Sequence, residues 1–163
     1  MSRFLFVVPP LVGHINPTLA VGAELKNLGH EVAWVGYPSI LQNLLPKTMT
    51  LIPADESKLE DIKKTWQTHA NSVFGLESFK FFYADFMVPL AHAMLPSVTS
   101  AIQKFRPDCI ISDQQTLAGP IAARQMQLPW FSSATTPAGV LRRSFRILSS
   151  RKSGGRHMSI MWW

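Results

Sequence analysis

Apolar positions follow two alternating rhythms along this chain, and that alternation predicts its fold class. Residues 3–8, Arg-Phe-Leu-Phe-Val-Val, form an apolar run closed by Pro9 and Pro10. A short unbroken run bounded by turn residues predicts a strand buried on both faces. Residues 9–15 read as a loop. Asn16 then offers an N-cap, and Pro17 takes the first helical position. Val21, Leu25 and Leu28 keep the i, i+4, i+7 spacing of one helix face, and Gly29 supplies the stop. The strand pattern returns at 31–35, and a short helix over 38–45 opens with Pro38. Residues 50–53 predict a third strand, and residues 55–66 a charged amphipathic helix. The segment 71–105 is rich in Phe, Met and Leu and predicts helix with breaks near Pro89 and Pro96. A strand over 108–112, a helix over 116–127 and a strand over 129–133 complete the pattern. There is no internal repeat and no low-complexity stretch before residue 141.

Strands that alternate with helices require right-handed crossovers. The chain is therefore expected to be α/β, with a Rossmann-like parallel sheet and helices on both faces. Such sheets bind ligands beyond the carboxyl ends of their strands, where the strand order reverses. The reversal usually falls between the first and fourth strands, and a polar residue sits at each of those ends. His14 lies in the loop after the first strand, and Asp113 directly follows the strand ending at Ser112. A neutral imidazole can take a proton from a hydroxyl. A carboxylate beside it fixes the tautomer and stabilises the cation once formed. Taken singly, His14 reads as a loop histidine satisfied by backbone, and Asp113 as a helix cap. Their joint place at the switch point is what argues for chemistry.

Other features narrow the choice. No Gly-x-Gly-x-x-Gly follows the first strand, so a dinucleotide-binding dehydrogenase is disfavoured, as is a flavodoxin-like cofactor binder. Gly13 stands almost alone, in a loop shaped to present a side chain. Phe74, Phe79, Phe81, Phe82, Tyr83, Phe86, Met87 and Met94 could line an apolar pocket. Aromatics at helical spacing also read as plain core. His69 and His92 have no metal-ligand spacing, so no metal is implied.

At 163 residues the chain suits one domain. It is 47% hydrophobic and 16% charged, which excludes a disordered class. The net charge of +6 suggests nucleic acid or anionic lipid until its distribution is read. Residues 1–141 are neutral, because all the acidic residues lie there with an equal number of Lys and Arg. The excess comes from Arg142, Arg143, Arg146, Arg151, Lys152 and Arg156. The body thus carries no nucleic-acid signal. The single cysteine, Cys109, sits in an apolar run, which reads as buried packing in a reducing, cytoplasmic setting. The opening apolar run is too short for a signal h-region or a membrane span, so no transmembrane segment is expected.

The segment FLFVVPPLVGHINPTLAVGAELKNLGHEVAWVG resembles the opening of the UDP-glycosyltransferase superfamily with the GT-B fold, closest to bacterial macrolide and zeaxanthin glycosyltransferases. Gly13-His14-Ile15-Asn16-Pro17 and the stretch from Leu25 to Val32 carry it. So do Arg106 to Asp113 and Leu128-Pro129-Trp130-Phe131. The resemblance covers about residues 3–139. It implies inverting transfer of a hexose from a nucleotide sugar, such as a UDP-sugar, to a hydroxyl of a small hydrophobic acceptor. His14 would be the general base and Asp113 its partner. Gly13, Phe74, Phe82, Phe86, Thr135 and Thr136 would border the acceptor, with Ser132 and Ser133 at the cleft edge. The nucleotide sugar is a co-substrate in this family, held mostly by a C-terminal domain with no counterpart here.

Residues 1–141 are therefore read as an N-terminal acceptor domain, and 142–163 as a basic tail, disordered or frameshifted. A basic arm for anionic lipid, anchored by Trp162 and Trp163, is the alternative for the tail. The chain alone is expected to be inactive. Its rivals are a non-catalytic remnant or binding module, and one subunit of a two-chain enzyme whose donor domain is separate.

Overall fold

The structure is a computed structural model that describes residues 1–69, 76–134 and 159–161. Its strands are β1 (Arg3–Val7), β2 (Glu31–Gly36), β3 (Thr50–Pro53), β4 (Cys109–Asp113), β5 (Trp130–Ser133) and β6 (Ser159–Met161). Its helices are α1 (Val12–Asn27), α2 (Pro38–Leu41), α3 (Leu59–His69), α4 (Leu76–Phe81), α5 (Val88–Phe105) and α6 (Ala118–Gln125), with a π-helical segment at Phe82–Met87. The strands form one sheet in the order β3-β2-β1-β4-β5-β6, and every pairing is parallel. The order reverses between β1 and β4, where the switch point was expected. β6 comes from the basic tail; residues 142–158, 162 and 163 lie outside the described residues.

Strand alternation divides the core into two layers. Leu5, Val7, Ala33, Val35 and Ile110 pack with α3, α5 and α6. Phe6, Val8, Val32, Trp34 and Ile111 face the opposite way and pack with α1 and α2. Leu5, Phe6, Val7 and Val8 are all essentially inaccessible. That is why the first run reads as continuous apolar sequence: both faces of its strand are covered.

Gly22 sets the approach of α1 to this sheet. The Trp34 indole stacks on Phe6 with centroids 4.9 Å apart, and its Nε1 donates to Thr18 Oγ1 at 3.0 Å. A Cβ at Gly22 would run into the indole ring. The ring has no freedom to move aside, so the helix needs bare backbone there.

Several boundaries differ from the sequence expectation. α1 starts at Val12, one turn earlier, because the Leu11 carbonyl accepts from both His14 N–H and Ile15 N–H. Asn16 and Pro17 are therefore inside the helix and exposed, and Leu11 is the cap residue. Leu28 is 65% exposed at the helix end, whereas Val21 and Leu25 pack half-buried beside the fully buried Ile15, Thr18 and Gly22. α3 begins at Leu59. Asp55 closes a turn before it, accepting from the Ser57 N–H at 2.9 Å and the Ser57 hydroxyl at 2.8 Å. The interruption expected near Pro89 takes the form of the π segment just before it. Pro96 makes no break, since Leu90, Ala91, Met94, Val98, Ala101 and Ile102 hold α5 in the core across it. Asp113 is the last residue of β4 rather than the residue after it.

Candidate active site

His14 sits in the first turn of α1 rather than in a loop. The helix presents it on the same side as Ile15 and Thr18, toward the sheet. Asp113 lies two positions beyond Ile111 on β4, so the strand's alternation points it to the face that α1 covers. The two side chains meet there. His14 Nδ1 is 3.0 Å from each carboxylate oxygen of Asp113. His14 is 6% exposed and Asp113 2%.

The carboxylate is fixed from its own strand as well. The backbone N–H of Gln115 donates to Asp113 Oδ1 at 2.9 Å, and the Thr116 N–H to the Asp113 carbonyl at 2.9 Å. Asp113 thus makes an Asx turn while it accepts from histidine. Asp113 does not cap α6, whose cap residue is Leu117; its carboxylate closes the turn that leads there while it faces His14. Ser112 points to the opposite face, donates to the Thr116 carbonyl at 2.9 Å, and packs so closely on α6 that Gly119 has no room for a Cβ.

This geometry sets the imidazole tautomer. A carboxylate only accepts, so Nδ1 carries the proton and Nε2 the lone pair. A positioned, correctly tautomerised imidazole can take a proton from a hydroxyl and share the resulting charge with its carboxylate.

The other expected site residues are distributed unevenly. Gly13 is exposed beside His14, with open space where a Cβ would stand. Phe86 is 4% exposed and belongs to the core, and Phe82 is half-buried against it. Their rings lie 5.6 Å apart and both pack on Trp66, at 5.1 Å from Phe86 and 5.7 Å from Phe82. Trp66, from α3, is the organising ring of this cluster, and the charged pattern of its helix gives no sign of that role. Ser133 pairs with Asp113 in register, and its carbonyl accepts from Gln114 N–H at 3.0 Å. Phe74, Thr135 and Thr136 lie outside the described residues. His92 is exposed. Among the described residues no group of three His, Cys, Asp or Glu is placed to hold a metal ion. No helix among them is long and apolar enough to cross a membrane.

Two buried groups depart from ordinary acidity. Burial, then the nearby Asp108 charge, pushes the Cys109 thiol up to about 11. Burial, then Asp55 and Glu56, pushes the Tyr37 phenol up to about 12. Both stay protonated at neutral pH, so Cys109 is packing rather than a nucleophile.

No protein-family model matches the chain. An uncharacterised glycosyltransferase of Methanosarcina acetivorans is 28% identical over 134 residues, 79% of this chain and 31% of that protein. The glycosyltransferase SsfS6 of Streptomyces sp. SF2575 superposes with a TM-score of 0.66 at 17% identity, over 81% of this chain and 39% of its own. SsfS6 has also been solved with thymidine diphosphate. The glycosyltransferase SnogD of Streptomyces nogalater gives 0.65 at 21% identity, over 84% and 37%. The chain thus spans roughly a third of the length of the proteins it matches.

Proposed function

We propose, from the premise that this chain is glycosyltransferase-like and has the fold of the N-terminal half of a GT-B enzyme, that it forms the acceptor side of a nucleotide-sugar-dependent hexosyltransferase. The observation that carries this reading is the buried pair at the switch point, His14 Nδ1 held 3.0 Å from both oxygens of Asp113. In the proposed reaction His14 Nε2 takes the proton of an acceptor hydroxyl. The acceptor oxygen attacks the anomeric carbon of the sugar from the face opposite the leaving group. A bond from oxygen to that carbon forms as the bond to the nucleotide diphosphate breaks, and the configuration inverts. Asp113 keeps Nε2 unprotonated beforehand and balances the imidazolium afterwards. The thymidine diphosphate bound by a protein of the same fold supports a nucleoside diphosphate as the leaving group. The donor would be held by a second domain or subunit, and the acceptor is a hydrophobic alcohol or phenol.

The test joins this chain to a donor-binding half of the same fold and measures single-turnover sugar transfer to a hydrophobic phenol. Transfer that is lost in His14→Ala, with the far-UV spectrum unchanged, is the expected result. A near-normal rate in that variant would remove His14 as the base.

A further inference from the structure

A groove of about 300 Å3 lies between α5 and the edge strand β3. It belongs to the face of the sheet that α5 covers, whereas the His14–Asp113 pair lies on the α1 face, so the two are separate. Its apolar lining is Ile52 and Pro53 from β3 with Pro96 and Ala101 from α5. Its polar groups, Ser97, Ser100 and Lys104, follow one another at helical spacing along α5. The Asp55 N–H donates to Ser97 Oγ at 3.0 Å and ties α5 to the end of β3, which holds the two walls together. The Ser97 hydroxyl keeps its own hydrogen for another acceptor. Among the described residues, Ser100 Oγ and Lys104 Nζ have no hydrogen-bond or ion-pair partner. No acidic residue lines the groove. A strand partner is disfavoured at this edge. The Ala54 N–H reaches the Gly36 carbonyl, so alternation turns the main chain of Leu51 and Pro53 outward. Proline has no N–H, which leaves Leu51 as the single outward donor of β3.

We propose that this groove binds a small monocarboxylate with a compact apolar body, its carboxylate on Lys104 and Ser100 and its body against Ile52, Pro53 and Ala101. Every polar side chain in the lining can donate, and one of them is a cation, so the matching ligand group accepts and is anionic. A single cation balances a single negative charge. Lys104 also stands in the last turn of α5, where the helix dipole opposes anions, so a phosphate dianion would be poorly balanced there. The volume lies at the small end of the range for ligand pockets, which limits the apolar body to a ring or a short chain. The ligand is not the acceptor of the proposed transfer reaction, because the groove opens on the other face of the sheet, and the inference does not depend on that reaction.

The experiment titrates the 163-residue chain by NMR with three probes that share one apolar body: 4-phenylbutyrate, 4-phenylbutanol and 4-phenylbutylamine. Saturable shifts with the carboxylate are expected at Ile52, Ser97, Ser100 and Ala101, with weaker binding of the alcohol and weakest of the amine. Lys104→Met keeps the apolar stem and should weaken phenylbutyrate by about two- to fivefold, the scale of an exposed ion pair. Ser100→Ala should weaken it by about two- to tenfold, the scale of one hydrogen bond. Salt at about 0.5 M should bring the parent close to Lys104→Met. Lys64→Met, an exposed lysine on α3, should bind as the parent does. All three substitutions fall on partly or fully exposed positions, so each is expected to fold. Equal affinity for the three probes overturns the proposal, as does the absence of saturable shifts at the groove residues. An equal loss in Lys64→Met and Lys104→Met shows general charge attraction and overturns it too.

Discussion

At the scale of single residues, the site is a set of decisions about protons. His14 holds one on Nδ1 because Asp113 accepts there. Replacing His14 by Ala in a protein with both halves should lower the transfer rate by about 10²–10⁴-fold, the usual cost of losing a general base. Asp113→Asn should fall in the same range. The amide can donate to Nδ1, which would move the imidazole proton to Nε2 and leave the base facing the wrong way. A pre-steady-state rate for Asp113→Asn within twofold of the parent would show that the tautomer does not matter. Tyr37 offers a prediction about stability. Its phenol ionises near 10 in the unfolded chain and near 12 in the fold. Between those values the unfolded state has lost a proton that the folded state retains, so stability falls as pH rises through that window. Below pH 10 the contribution is intact. Urea titrations from pH 9 to 12 should show that decline, and Tyr37→Phe should flatten it.

At the scale of elements, α1 shows how one residue can fix the depth of a helix. An alanine at position 22 would gain about 1 kcal/mol of helix propensity. It would also place a methyl group into the Trp34 ring, which Phe6 and Thr18 hold in position. Overpacking of that kind costs about 1–3 kcal/mol. Sterics should win, so Gly22→Ala is expected to lower the urea midpoint of the chain. It should also slow transfer in the joined protein, because His14 rides on the same helix two turns earlier. An unchanged midpoint would mean that the helix can lift off the sheet at little cost. In the sequence, Gly22 is one glycine in a helical pattern, and its partner lies on β2. The start of α1 is hidden from the sequence for a related reason. Asn16-Pro17 is a strong local start signal, but the Leu11 carbonyl collects two amides first and the helix winds from there.

At the scale of the whole molecule, His14 and Asp113 meet where the two central strands β1 and β4 end. The chain matches 39% of SsfS6 and 31% of the Methanosarcina protein. We expect the 163-residue chain by itself to give no turnover with a nucleotide sugar and a phenol. Product above background in a mass-spectrometric assay of the purified chain would contradict that. The order of elements was legible because each strand is a short apolar run and each crossover helix keeps its own period, both local properties. The switch point followed from topology rules, and with it the pairing of His14 with Asp113 across nearly a hundred positions. What the sequence could not decide were quantities set by neighbours distant in the chain. The Asx turn of Asp113 depends on the backbone of Gln115, which any residue type could supply. Trp66 organises the aromatic cluster through rings that come from another helix. The sequence determined which two polar residues meet at the switch point and roughly where along the chain they lie. Tertiary structure alone decided that Nδ1 faces the carboxylate and that both groups are buried. Those outcomes depend on ångström-scale packing between elements that are far apart in sequence.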